Sequence, residues 1–230
     1  MVAVAVVAAL LALGFAACGD DDDDRNAEKT ASAPTGPATD GSGAAQGKCR
    51  RVDEPKPKRV KKQRAPKLEL DPSKTYLATV ETTCGDFEIE LDAKNAPKTG
   101  GSFVSLARDG FYDGLTFHRI VTGFVIQGGD PRGDGTGGPG YSVTEPPPND
   151  TVYSEGIVAM AKSQVDPPGG SGSQFFVVTS DDAALDPIYA LLGKVTRGLD
   201  VVHRIEEVPA GPDERPVQPV VIKRIEIEVR

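Results

Sequence analysis

Phe117-His118-Arg119-Ile120-Val121-Thr122-Gly123-Phe124-Val125-Ile126-Gln127-Gly128-Gly129-Asp130 is the densest pattern in the chain. Two short β-prone runs, 115–121 and 124–127, flank a Thr-Gly corner and predict a tight hairpin or bend. Arg119 and Gln127 sit among large apolar residues, and the period of two puts each on one strand face with its neighbours turned away. A guanidinium held by an amide beside aromatic rings is a recognition surface. His118, one residue from Arg119, falls on the opposite face and reads as a structural residue inside the fold.

Working outward, 76–82 and 87–91 alternate with period two around Cys84-Gly85-Asp86 and predict a first hairpin. Pro97 opens a helix to Arg108, where proline is tolerated in the first turn and Phe103, Val104, Leu106 and Ala107 give one buried stripe. Gly100-Gly101 is unfavourable there, by ~1 kcal/mol per glycine relative to Ala. Further strands are expected over 156–161, 174–179, 190–195 and 220–229, with a second helix near 199–205. Many short strands, Gly/Pro-rich connections and two helices predict a mainly β fold, a closed antiparallel barrel or sandwich.

Further blocks follow in order: Gly135-Thr136-Gly137-Gly138, Met160-Ala161, Ser171-Gly172-Ser173-Gln174-Phe175-Phe176 and Leu192-Gly193-Lys194-Val195. Together with the opening stretch they resemble the signature of the cyclophilin family of peptidyl-prolyl isomerases, over residues 74–230. The resemblance implies a closed eight-stranded antiparallel β-barrel capped by two α-helices, and catalysis of X–Pro rotation in polypeptides without a cofactor. It implies Arg119, Phe124 and Gln127 as the catalytic group. Val125, Phe176 and Leu185 would complete a proline pocket, while Ala161, Lys162, Ser163 and Gln174 would line the groove for preceding residues. The chain departs from the family at the rim. Lys162 stands where Asn is common, Ala184 where many members carry Trp, and Tyr189 where many carry a pocket His. Since that Trp contacts cyclosporin in the family, weak binding of the drug is expected.

Other chemistries fit poorly. Gly133 to Gly138 matches G-x-G-x-x-G, but Pro139 and then Pro146-Pro147-Pro148 follow, so no helix can start there to meet a pyrophosphate. No G-x-S-x-G elbow accompanies the Ser, His and Asp residues. Three Cys and two His, without CxxC or HxxxH spacing, leave no metal site to read. His203 reads as plain surface. A net charge of -8 argues against a nucleic-acid binder.

Residues 1–17 are almost wholly apolar and small, too short for a span of ~20 residues, and fit the hydrophobic region of a signal peptide. Leu13-Gly14-Phe15-Ala16-Ala17-Cys18 is similar to a bacterial lipobox, with Phe15 in place of the usual Leu, so Cys18 is a candidate for lipidation and membrane attachment. An ordinary cleaved signal with secretion is the alternative. From 18 to 73 the chain lacks hydrophobic periodicity. It runs from acidic residues through Ala/Ser/Thr/Pro/Gly to a basic block, and predicts a disordered tether. In an oxidising compartment Cys49 and Cys84 are a natural pair, with two independent thiols as the alternative. The expectation is an extracytoplasmic monomer with an isomerase domain over 74–230, acting on proline-containing polypeptides. The rival is a non-catalytic proline-peptide or chaperone module using the same groove.

Overall fold

The computed structural model describes residues 48–230. The predicted signal peptide, Cys18 and the tether up to residue 47 lie outside the described residues. Ten strands and two helices follow in chain order: β1 (Tyr76–Thr82), β2 (Gly85–Leu91), α1 (Pro97–Arg108), β3 (Thr116–Val121), β4 (Val125–Asp130), β5 (Val143–Thr144), β6 (Ile157–Met160), β7 (Gly170–Ser171), β8 (Phe175–Val178), β9 (Leu191–Arg197), α2 (Leu199–Glu206) and β10 (Ile222–Val229).

Eight strands form one curled antiparallel sheet in the order β10-β1-β2-β9-β6-β8-β4-β3, while β5 and β7 pair separately. The sheet curls far enough for its edges, β3 and β10, to meet at one corner. An isolated bridge joins Thr116 to Val221, and backbone bonds run from Phe117 N to Val220 O (2.9 Å) and Ile222 N to Leu115 O (2.8 Å). The expected barrel is therefore closed at that corner only, and the sheet is otherwise curled with β3 and β10 as its edges. The two-residue β5–β7 pair was not anticipated, since elements that short carry no periodicity.

Alternation along the strands gives this sheet two apolar faces. Phe87, Phe117, Phe175 and Ile126 turn inward to a core shared with Phe103 and Leu106 of α1 and with Val202 and Ile205 of α2. Tyr112 and Phe103 pack at 5.0 Å between ring centroids, and Phe175 meets Phe103 edge-on at 5.8 Å. Their neighbours Val125, Ala159, Phe176 and Val178 turn outward and form a second cluster with Tyr153.

Residues 48–73 differ from the predicted tether. They lie along the domain as an extended strap, fixed by Arg50 N to Thr83 O (2.8 Å), Lys58 N to Pro131 O (2.7 Å) and Gln63 N to Pro139 O (3.0 Å). A disulfide joins Cys49 to Cys84. The Lys58 ammonium donates to the carbonyls of Gly110, Phe111 and Asp113 at 2.8, 3.0 and 3.2 Å, just beyond the C-terminus of α1. Leu70 is buried in the core at 2 % exposure. One side chain in the core and a few backbone bonds fix an extended segment without leaving a periodic trace in its composition. The glycines of α1 find their reason here: a Cβ at Gly100 would strike the Leu70 side chain, and one at Gly101 would fall on the Leu68 carbonyl.

Among the described residues no helix is long and apolar enough to cross a membrane. If the strap is part of the folded unit, Leu70→Ala lowers the unfolding free energy by about 2–4 kcal/mol, as for other buried leucines. Urea denaturation measures this, and an unstructured tether would leave the midpoint where it was.

Candidate functional site

Strands β3 and β4 form a hairpin turned by Thr122 and Gly123, in which Gly123 adopts φ +73, a conformation that glycine takes without steric cost. The Glu206 carboxylate of α2 pins this turn, accepting from Gly123 N at 2.7 Å and from the Thr179 hydroxyl at 2.5 Å. Partial burial pushes the Glu206 pKa up, but these donors and His203 outweigh it and hold the carboxyl below its ordinary value. His203, expected to be plain surface, bridges Glu155 (3.0 Å) and Glu206 (3.2 Å).

The hairpin register sets Arg119 opposite Gln127, so both stand on the outer face with the second apolar cluster. Gln174 precedes β8 and completes a hydrogen-bond chain. Its Nε2 donates to the carbonyls of Gly135 and Gly137, both at 2.9 Å. Carbonyls only accept, so the Gln174 Oε1 is left to accept from Gln127 Nε2 at 3.0 Å. That in turn leaves Gln127 Oε1 for Arg119 Nη1 at 3.3 Å. The glycine loop thus fixes the polarity of two amides and presents an acceptor to the guanidinium. On its other side Arg119 Nε donates to Glu214 at 2.5 Å.

Beside this chain lies a cavity of about 160 Å³ lined by Arg119, Phe124, Val125, Gln127, Ala161, Lys162, Phe176, Leu185 and Tyr189. Phe176 and Tyr189 meet edge-on at 5.5 Å, and Tyr153 packs behind both at 6.5 and 6.1 Å. The Tyr153 hydroxyl accepts from Tyr189 N (3.1 Å) and donates to Tyr189 O (2.6 Å), clamping the segment that carries the rim ring. Buried and crowded by Tyr189, this phenol has its pKa pushed up, chiefly by desolvation, to about 12.

A second cavity of about 840 Å³ shares Gln127, Ala161 and Lys162 with the first, and continues over Ser163, Gln174 and the loop from Gly135 to Ser142. Lys58 and Val60 of the strap form part of its wall. The expected residues thus fall around one apolar pocket and one adjoining groove. Ala184 lies outside both linings, at φ +49 with its N–H on Asp182 (2.8 Å). The Lys162 ammonium folds onto the Ser163 carbonyl at 2.8 Å. Tyr153, Glu214 and the strap were not foreseen. They stand in aperiodic loops, and only the alternation of neighbouring strands could have hinted that the outer face needed a backing ring.

His118 is buried at 8 % exposure, where the β3–β4 register shifts between Phe117 and Arg119. Neither ring nitrogen has a well-formed hydrogen bond. Burial lowers its pKa, and the nearby Asp130 carboxylate opposes that shift without reversing it. No group of three or more His, Cys, Asp or Glu among the described residues could hold a metal ion. An apolar pocket, one tethered cation and an open groove suit the binding of an extended peptide with a small ring and a nearby polarisable group.

Comparison with known proteins agrees with this geometry. Residues 77–227 match the family model of "Cyclophilin type peptidyl-prolyl cis-trans isomerase/CLD". A peptidyl-prolyl cis-trans isomerase of Helicobacter pylori is 42% identical over 142 residues, covering 60% of this chain and 85% of that protein. Peptidyl-prolyl cis-trans isomerase B of Streptomyces anulatus is 39% identical over 172 residues, covering 66% of this chain and 97% of its own. A crystal structure of a Cryptosporidium parvum cyclophilin type isomerase superposes with a TM-score of 0.62 at 33% identity, covering 67% of this chain and 98% of that one. The same protein, crystallised in the presence of the dipeptide Ala-Pro, gives 0.61.

The His118 environment has a measurable consequence. With its folded pKa below the unfolded value near 6.5, neutral His118 contributes stability above that pH and loses it as acid protonates the unfolded chain. Unfolding free energy therefore falls as the pH drops below about 6.5, and His118→Leu flattens that limb. Equal slopes for the two proteins in denaturant titrations would refute the account.

Proposed function

The chain belongs to the cyclophilin-type peptidyl-prolyl cis-trans isomerase family, and from that premise we propose that Arg119 drives X–Pro rotation by stabilising the twisted amide. Rotation about an amide meets a barrier of ~18–20 kcal/mol, and uncatalysed X–Pro exchange takes tens to hundreds of seconds. No bond is made or broken. The protein must seat the ring while the preceding carbonyl turns, and must favour the twisted form over the planar one.

Twisting localises the lone pair on the prolyl nitrogen. A donor directed there is worth more at the top of the barrier than at its foot. A guanidinium carries five N–H donors. In Arg119 the Nε and one Nη1 donor are engaged by Glu214 and Gln127, and Nη2 has no protein partner among the described residues. The observation that carries the proposal is this cation, half-exposed and hydrogen-bonded on two sides, at the wall of an aromatic pocket. Phe124, Val125, Phe176, Leu185 and Tyr189 seat the proline ring. Gln127, Ala161, Lys162, Ser163 and Gln174 receive the residues before it through the adjoining groove.

The same proposal places the protein outside the cytoplasm, anchored by lipid on Cys18, where it assists folding of secreted or envelope proteins. The lipobox-like stretch at 13–18 supports the anchor. The Cys49–Cys84 disulfide supports an oxidising compartment. The scatter of exposed large apolar residues, Leu68, Val152, Val165, Val217 and Val229, supports a monomer.

Arg119→Ala is expected to lower kcat/KM on an Ala-Pro tetrapeptide by roughly 100-fold or more, as removal of one preorganised transition-state donor does. Activity equal to the unmutated chain would leave only a peptide-binding module. Because Ala184 replaces the family's Trp, cyclosporin is expected to bind weakly, and calorimetry giving a submicromolar dissociation constant would contradict this. Labelled palmitate should enter the membrane fraction of the unmutated protein and not of Cys18→Ala; label retained by the variant would remove the anchor.

A further inference from the structure

Glu214 sits at the tip of the loop between α2 and β10, outside the residues the family resemblance assigns. Three observations converge on it. Its carboxylate accepts from Arg119 Nε at 2.5 Å. Its backbone carbonyl accepts from Ile120 N at 2.8 Å, so one residue grips both the side chain of Arg119 and the peptide that follows it. Its φ is +62, in the left-handed region where a side chain is strained and glycine is not.

The loop around Glu214 is built to hold that conformation. Glu214 N donates to Gly211 O (2.9 Å), Gly211 N donates to Arg215 O (2.8 Å), and Val217 N donates to Pro209 O (2.8 Å). The Arg215 guanidinium in turn donates to the Gly133 carbonyl. Strain kept in place by surrounding bonds is a mark of a residue used for its side chain. As a surface ion pair at 34% and 45% side-chain exposure, the contact does little for stability. It does fix geometry. An arginine stem has several free torsions, and Gln127 alone engages one nitrogen at 3.3 Å, whereas donors on Nε and Nη1 together lock the plane of the guanidinium.

We infer that Glu214 is a positioning residue for isomerisation: it accepts strained backbone geometry in order to orient the Arg119 guanidinium toward the proline pocket. The inference rests on the proposed role of Arg119. Removing the carboxylate frees the cation without emptying the pocket, so the loss falls on the turnover step rather than on substrate binding.

The test uses the full chain. Glu214→Gly relieves the left-handed strain and deletes the carboxylate. It is expected to lower kcat on an Ala-Pro tetrapeptide roughly tenfold, to keep KM within about twofold, and to leave the thermal midpoint unchanged or raised. Glu214→Gln keeps a neutral acceptor and is expected to retain an intermediate kcat. In 15N NMR spectra the Arg119 Nε–H signal should exchange slowly in the unmutated chain, persist in Glu214→Gln and vanish in Glu214→Gly. Unchanged kcat in Glu214→Gly, or a loss confined to KM, overturns the inference. Should that variant lose more than about 5 °C of midpoint, Glu214→Gln decides, and unchanged kcat there is equally fatal. The two readings fail separately. An Arg119→Ala chain as active as the unmutated one removes the role of Arg119 and with it this inference. An Arg119-dependent enzyme indifferent to Glu214 removes this inference alone.

Discussion

A strand that packs aromatic rings on both of its faces is the constraint on which this molecule depends. In β8 the adjacent residues Phe175 and Phe176 point opposite ways, one into the core with Phe103 and Phe117, the other into the outer cluster with Tyr153 and Tyr189. Pleating makes this automatic. Core and binding pocket are therefore two sides of the same few strands. A slip of one residue in β8 would exchange them, so the packing that stabilises the fold also fixes which ring a ligand meets.

The polar half of the site is organised by a different rule. Backbone carbonyls of the glycine loop cannot donate, and that single fact propagates through Gln174 and Gln127 to decide which face of an amide Arg119 sees. The cation is then gripped from the far side by a residue of the last loop. Strands supply the platform and loops supply the orientation. The chemistry of the site therefore depends on contacts between segments almost a hundred residues apart in the chain.

Much of this was legible in the sequence because period-two alternation and the Thr-Gly corner are local signals. Helix α1 was readable to its ends from Pro97 and its apolar stripe, and the residues expected at the pocket gather around one cavity. Glu214 was not legible. A glutamate before Arg215-Pro216 carries no sign that its backbone is left-handed or that its partner lies on β3. The strap was misread for the same kind of reason. Lysines, arginines and prolines resemble a solvated linker, and one buried Leu70 with a few backbone bonds outweighs composition only once the partner surface exists. Gly100 and Gly101 were the visible trace of that partner, negative evidence of something lying close by.

The disulfide has a mechanical meaning. Because Cys49 is bonded to Cys84, the strap from Arg50 to Leu70 lies inside a covalent loop. A pull on the chain from its N-terminal side enters the sheet through the sulfurs at the β1–β2 turn and bypasses the strap. Lys58 and Val60, which wall the groove, are thereby shielded from tension. Tension applied at Cys49 would reach the β1–β2 turn without drawing on the wall of the groove.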